Sequence, residues 1–398
     1  MSRKPFDLKG ANGGGPKYGI SVMMPGAPLP KVSMIAKVLF THGAPEVRWL
    51  GPGGDSVAHF YSHGRMALTE GVLAVMRSRK VDRAVLFVPD YICNEALESV
   101  RAMSVEIEFY PVGEDLSPDW QRLNERGVGE VPLRLFLLVH YFGFLNKTEE
   151  AITFCEANKM VLIEDCAHML RPYASTGKGS LMVLSPRKLL PIPCGGVLVA
   201  HESFEKHLST IHQSVSVVKI VQWIFLRMIQ KGLVALGIPW KTFRKYREEK
   251  SISEEVARSE TLRTSLCGQF TLRMLAEMGD DLEQISLRRR DNFSRIASSI
   301  AGVKGVRILF SLTDEETCPY MLPLILEQGA ERLLRMFQEM GIPAGRWPLL
   351  PPEVLDSPDK HRIALWMREH LLLLPLHQSL TIQDADRIGK VLCGGLPS

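Results

Sequence analysis

The chain has 398 residues, 45% of them apolar and 23% charged, with a formal net charge of +4. These values describe a globular chain with room for two or three domains and a sizeable core. So small a charge gives no argument for nucleic acid as a partner. The seven cysteines are odd in number and form no CxxC pair, which disfavours a disulfide framework or a zinc site and points to a reducing compartment, the cytoplasm.

Residues 1–55 read as a leader and an irregular segment. The first 19 are polar and glycine-rich and lack the apolar core of a signal peptide; the proline-dotted stretch after them gives no clear element. At FYSHGRMALTEGVLAV a loop enters a helix at Gly64, with Ala67, Leu68, Val72, Leu73 and Val75 on its apolar face. Backbone N–H groups at such a start can hold a phosphate, Gly64 allows close approach, and Arg65 adds a positive charge. Taken alone, the same residues better suit an ordinary helix start with a surface arginine.

From Arg83 onward strands and helices alternate. Strands are expected at 83–89, Val105 to Tyr110 and Leu135 to His140. Helices follow the first at 90–103 and the third at Thr148 to Asn158, where Thr148 is a suitable cap. Two apolar strands then end in chemistry. Met160 to Ile163 delivers Glu164 and Asp165, with His168 three residues on, and Leu181 to Leu184 delivers Ser185 and Lys188 ahead of a third run, Gly196 to Ala200. Alternating elements imply parallel pairing, and ligands of such sheets bind at the carboxyl ends of the strands, where His140, Asp165 and Ser185 fall. Only one of Glu164 and Asp165 can face a site there. A lone histidine such as His140 is more readily a core residue than a ligand. A carboxylate and a lysine at neighbouring strand ends are what a pyridoxal phosphate (PLP) enzyme needs, the lysine for a Schiff base and the aspartate for the proton on the pyridine nitrogen. The spacing alone fits a purely structural pair equally well.

Helical periodicity takes over at Ser203, with Val217, Ile220, Val221, Ile224, Phe225 and Met228 in phase and a basic run from Lys241 to Lys250. The segment 216–250 reads as a packing or dimer helix with a solvated tail, or as a lid or peripheral patch toward anionic lipid. Lys219, Arg227 and Lys231 interrupt it too densely for a transmembrane span. One long helix is expected over Leu272 to Ser299, then strands at Val306 to Phe310 and Tyr320 to Leu326, a helix from Ala330 to Met340 closed by Gly341, and a last helix from Thr381 to Leu392. This divides the chain into 1–55, a large domain over 56–260 with the helical insert, and a smaller α/β domain with its linking helix over 261–398.

Seven pieces in fixed order carry a resemblance: HGRMAL (63–68), VPDYICNEAL (88–97), VHYFG (139–143), IEDCAH (163–168), SPRKLLPIPCGG (185–196), GIPAGRWPLLP (341–351) and LPLHQSL (374–380). Together they resemble the sugar aminotransferases called DegT/DnrJ/EryC1/StrS, over about residues 60–395. The resemblance implies an α/β protein of PLP-dependent aminotransferase fold type I, with a mostly parallel central sheet flanked by helices. It implies that Lys188 is the catalytic lysine, that Asp165 pairs with the pyridinium nitrogen, that His168 lies at the cofactor's ring edge, and that Gly64, Arg65 and Ser185 hold its phosphate. It further implies a homodimer with sites at the interface, glutamate as the amino donor, and a keto-sugar, nucleotide-linked, as the acceptor. Lys188 argues against the family's dehydratase branch, which lacks it.

Three departures stand out. Cys93 occupies the position of the aromatic residue that stacks on the ring, with Tyr91 as a substitute. Arg65 stands where a threonine is common. The Gly-Tyr-Asn segment has no counterpart in SLCGQFTLRML, residues 265–275. The alternatives to a sugar aminotransferase are a PLP aminotransferase acting on another keto substrate, and a non-catalytic family member that binds a protein through its helices near residue 230.

Overall fold

The computed structural model describes residues 24–43, 45–50, 56–125, 132–209, 214–236 and 265–395. The basic run after Lys241 and the first 23 residues lie outside them. In chain order the helices are α1 (Val32–Phe40), α2 (Gly64–Arg79), α3 (Asn94–Arg101), α4 (Trp120–Glu125), α5 (Thr148–Ala157), α6 (Val217–Ala235), α7 (Gln269–Glu277), α8 (Leu282–Ser299), α9 (Ala330–Glu339), α10 (Pro352–Leu355), α11 (Arg362–His370) and α12 (Ile382–Gly395). The strands are β1 (Ser56–Tyr61), β2 (Ala84–Pro89), β3 (Val105–Tyr110), β4 (Arg134–Val139), β5 (Val161–Cys166), β6 (Leu181–Leu184), β7 (Gly196–His201), β8 (Val306–Ile308), β9 (Met321–Leu326) and β10 (Leu371–Pro375).

Seven strands form one sheet in the order β1-β7-β6-β5-β4-β2-β3. Pairing is parallel from β3 across to β6, and antiparallel where β7 meets β6 and β1. The middle strands are apolar on both faces, as a sheet covered by helices on both sides requires. One face buries Leu181, Val183 and Leu198 with the main core, and the other buries Met182, Leu184 and Val197 with α7 and α8. Helix α2 lies so close on the first face that a side chain on Gly71 would meet Leu198 and Leu181 at 3.1 and 3.2 Å.

A second, three-stranded sheet has the order β10-β9-β8, all antiparallel. It meets the strand ends of the large sheet through backbone hydrogen bonds from Tyr320 N to Phe142 O (2.7 Å) and from Asn94 N to Leu349 O (2.8 Å). The join needs glycine at 143. Its φ is +91°, and a Cβ there would lie 2.3 Å from the Cys318 carbonyl oxygen.

The expected helix over 272–299 is broken. The chain leaves α7 at Met278 and passes through a 3-10 turn at Gly279–Asp281 before α8 begins. Trp49 is the cause: its indole Nε1 donates to Leu275 O (2.8 Å), and its ring presses against Gly279, where a Cβ would sit 3.0 Å from Cδ1. Thr148 is the first residue inside α5 rather than its cap; its hydroxyl donates back to Asn146 O (3.2 Å). The stretch that gave no clear element contains α1, which packs Ile35 and Val38 inward.

Candidate active site

The ends of β1, β5 and β6 and the start of β7 lie at one edge of the large sheet. β1 runs parallel to β6 across the antiparallel β7, so the turn at Ser62 and His63 that starts α2 arrives beside Ser185 and Lys188. The approach is close: a Cβ on Gly64 would stand 3.4 Å from Ser185 Cβ and 3.5 Å from its Oγ. Ser185 is buried, and its hydroxyl donates to Gly195 O at 3.4 Å. Gly196 closes the corner from below. A Cβ there would sit 2.1 Å from His63 C and 2.4 Å from Gly64 N, an overlap no side chain escapes. The start of α2 is thereby fixed against the Ser185 turn, with its N–H groups at the cleft, a geometry that attracts anions.

Cations surround that corner. Burial first, then the neighbouring charges of Arg187, Arg65 and Lys219, push the His63 imidazole down to about 4. Arg65 reaches Glu98 only at 3.8 Å, and its buried Nε has no hydrogen-bond partner among the described residues.

Asp165 and Lys188 lie deeper. The Asp165 Oδ1 accepts the Ala167 N–H at 2.9 Å, while Oδ2 takes no hydrogen bond from the described residues. Burial raises the Asp165 carboxyl and the charge of Lys188 opposes that rise; burial lowers the Lys188 ammonium and Asp165 opposes that fall. Each group feels the other, yet among the described residues no ion pair closes between them. Cys93, at the start of α3, is the next group to bear on Lys188. The burial effect on Lys188 outweighs its partner's pull, which favours the neutral, nucleophilic amine.

His168 walls the same space. Its Nδ1 accepts the Phe142 N–H at 3.2 Å, which places the ring proton on Nε2. The ring stacks with Tyr320 (centroids 4.9 Å) and Phe142 (5.6 Å) and meets Trp347 edge-on. Burial holds it well below the usual histidine range, so it is a neutral donor.

No protein-family model and no curated protein sequence matches the chain. Solved structures match it along nearly its whole length. The aminotransferase TlmJ from Streptoalloteichus hindustanus superposes with a TM-score of 0.63 at 17% identity, covering 94% of this chain and 98% of the other. A DegT DnrJ EryC1 StrS aminotransferase from Brucella abortus gives 0.62 at 15%, covering 91% and 94%. The E. coli GDP-4-keto-6-deoxy-D-mannose-3-dehydratase, with bound hydrated PLP, gives 0.61 at 15%, covering 90% and 95%. The chain has the fold of these PLP enzymes.

Within that fold Gly64, Arg65, Asp165, His168, Ser185 and Lys188 lie at the same end of the large sheet, where Gly64 approaches Ser185 and Lys188 bears on Asp165 and His168. Glu164 and His140 do not join them. Glu164 faces the other side of the sheet, where it accepts from Gly177 N, Gly179 N and the His140 Nε2, while His140 Nδ1 accepts from Asn146 N. These two residues hold loops together. Tyr91 cannot serve as the stacking ring. It is fully buried beside Tyr141 and Trp347, and its hydroxyl donates to the Trp347 carbonyl.

Several site residues escape sequence reasoning. Arg187 and Lys219, from two distant segments, bear on His63 at the start of α2. Cys194 and Cys267 place their sulfurs 3.4 Å apart, with Thr271 Oγ1 3.1 Å from Cys194, directly beside the Gly-Gly turn. Segment 265–267 runs beside the end of β1, with Ser62 N donating to Ser265 O at 2.8 Å and the Ser265 hydroxyl to Ser62 Oγ at 2.7 Å.

The Gly196 contact gives a direct test. Gly196→Ala forces backbone apart and is expected to cost about 1–3 kcal/mol, the usual range for overpacking. Gly232→Ala, on an exposed turn of α6 with nothing within 4 Å of the new Cβ, is expected to gain about 0.5–1 kcal/mol. Chemical denaturation of the two variants beside the parent measures both; equal stabilities would contradict the packing at the corner.

Proposed function

We propose that this chain is a DegT/DnrJ/EryC1/StrS-type aminotransferase. It moves an amino group from glutamate, with PLP as cofactor, to a nucleotide-linked keto-sugar in surface-polysaccharide or secondary-metabolite synthesis. One observation carries the reading: Asp165 and Lys188 stand at the ends of the adjacent parallel strands β5 and β6, both buried, each opposing through its charge the shift that burial imposes on the other. The sugar acceptor rests on a thinner support, the likeness to a solved dehydratase whose substrate is a GDP-linked keto-deoxysugar.

The residues fit the cofactor. Asp165 Oδ2 is an acceptor without a protein donor, suited to a protonated ring nitrogen. His168 offers an Nε2–H to a ring oxygen. The start of α2, Ser185 and Arg65 offer donors and positive charge to a phosphate. When bound, PLP supplies an electron sink for the substrate carbon that carries nitrogen.

Each residue then has its own task. Lys188, driven toward its neutral form by burial, would hold the cofactor through its Nζ, and as a free amine that Nζ would take and return a proton at the substrate carbon. Asp165 keeps its negative charge beside the ring nitrogen, and the aromatic wall of His168, Tyr320 and Trp347 keeps water from the reacting side. The assignment places the enzyme in the cytoplasm and, by resemblance, in a homodimer.

The absorbance spectrum of the purified protein tests the reading. A visible band that gives way to a near-ultraviolet one on adding glutamate is the expected result. No band after incubation with PLP would overturn it.

A further inference from the structure

Two cysteines meet where the Gly-Gly turn faces the start of α7. The Cys194 and Cys267 sulfurs lie 3.4 Å apart, although 73 residues separate them in the chain. Both residues are buried. The Cys194 sulfur is also 3.1 Å from Thr271 Oγ1 and takes the Gly268 N–H. Gly268 is the N-cap of α7, and Thr271 lies in its first turn. The sulfur therefore sits where a helix presents donors without partners of their own, a place that favours negative charge.

The two thiols are unequal. The hydrogen bond with Cys267 lowers the Cys194 pKa most; burial opposes it, and Thr271, the Gly268 N–H and the charge of Arg187 add to the lowering. The same bond, followed by burial, raises Cys267. Cys194 is the thiolate of the pair and Cys267 its donor. The other buried cysteines have no such surroundings. Burial pushes the Cys155 thiol up to about 12 and raises Cys166 and Cys318 as well. A lowered pKa and a neighbouring thiol are what separate a redox-active cysteine from an inert buried one.

Both ends of the pair are tied to the chain around the start of α2. Gly195 N donates to Ser62 O at 2.8 Å, and Gly195 O accepts from the Ser185 hydroxyl. Cys267 N donates to Phe60 O at 3.1 Å.

We propose that Cys194 and Cys267 form a reversible oxidation site, closed to a disulfide by hydrogen peroxide, that fastens the Gly-Gly turn to the start of α7. The Cys194 thiolate attacks one peroxide oxygen; an S–O bond forms, the O–O bond breaks and hydroxide leaves. Cys267 gives up its proton and its sulfur attacks the Cys194 sulfur; the S–S bond forms, the S–O bond breaks and a second hydroxide leaves. The protons of the two thiols turn both hydroxides into water. The thiols lose two electrons and the peroxide gains them. A standing disulfide is foreign to a reducing compartment, but a transient one is the form that redox sensing takes there. Gly195 passes the constraint on to Ser62 and Ser185. The inference does not rest on the proposed reaction, because the pair closes in the same way in a chain without PLP.

The experiment is mass mapping of the folded full chain after brief exposure to hydrogen peroxide, with free thiols then blocked by alkylation. Linked Cys194 and Cys267 peptides are expected, released again by dithiothreitol. The link is expected to form at least about tenfold faster than Cys155 is oxidised, since thiolate character sets the rate. Cys267→Ala is expected to leave Cys194 as a sulfenic acid that dimedone labels, while the parent takes up little of that label. Mapping of the parent needs no variant and stands if Cys267→Ala misfolds. Three results would overturn the proposal: no link while the exposed Cys393 is oxidised, a link that forms only in urea, or Cys194 driven to sulfinic acid with Cys267 still free.

Discussion

Lys188→Ala is expected to leave a folded protein with transaminase activity lower by at least about a thousandfold, within the range that positioned acid–base groups contribute. The lysine has two tasks in the proposed reaction, and alanine performs neither. The fold survives because Lys188 anchors nothing: its own backbone N–H bonds to Ser185 O, and the next carbonyl, Leu189 O, is held by Arg289 and Gln378 at 3.1 and 3.0 Å. Those contacts do not involve the lysine side chain. Two readouts separate a chemical role from a structural one. Borohydride treatment with PLP should add the cofactor's mass to the parent and not to the variant, and thermal unfolding should be close in both. A variant that turns over at a tenth of the parent rate would remove Lys188 from the mechanism.

Much of this arrangement is legible in sequence because it follows from period and strand ends. Val105–Tyr110 and Leu181–Leu184 have the same bounds in the structure as in the pattern, since each is a short β-rich run with a clear break after it. β5 is longer than its apolar run and carries Glu164 and Asp165 as its own residues. Strand alternation then sends them to opposite faces, and only the partners tell which one meets the cleft. Glu164 takes the loop at 177–179 and His140, and Asp165 is left to the site.

What is not legible depends on contacts far apart in the chain. Gly279, Asp280 and Asp281 are a local signal for a break in the helix; what is not legible is the partner pressing on that turn, Trp49, from far earlier in the chain. In the run Arg288-Arg289-Arg290, Arg289 is fully buried and bonds to Pro319 O, Tyr320 O, Leu189 O and Gln378 Oε1, none of which is close to it in sequence. It ties the turn after Lys188 to the segment entering the small sheet. The thiol pair Cys194 and Cys267 is equally invisible, since no spacing rule links cysteines from two separate turns. Cys93 bears electrostatically on Lys188, while Tyr91 is taken up by core packing.

Asp165→Ala is expected to weaken PLP retention by about ten- to a hundredfold, the value of one charge-assisted hydrogen bond of 1.5–3 kcal/mol, and to lower turnover by more than that. The two losses have one origin. A carboxylate beside the ring nitrogen favours the protonated ring in binding, and the protonated ring draws electrons from the reacting carbon more strongly as charge develops there, so the interaction strengthens toward the transition state. Asp165→Asn separates the parts: the amide keeps the size and the bond to Ala167 N through its oxygen, while losing the charge. It should retain PLP better than alanine does and still turn over slowly. Glu164→Gln is the control from the neighbouring position. Glu164 is buried and accepts from Gly177, Gly179 and His140 on the far face, so its variant should lose stability with little change in kcat for the protein that remains folded. Equilibrium dialysis of PLP, initial rates and denaturation midpoints on the three variants distinguish these outcomes. Normal turnover in Asp165→Ala would move the ring's partner to another residue, and the role proposed for Asp165 would fall with it.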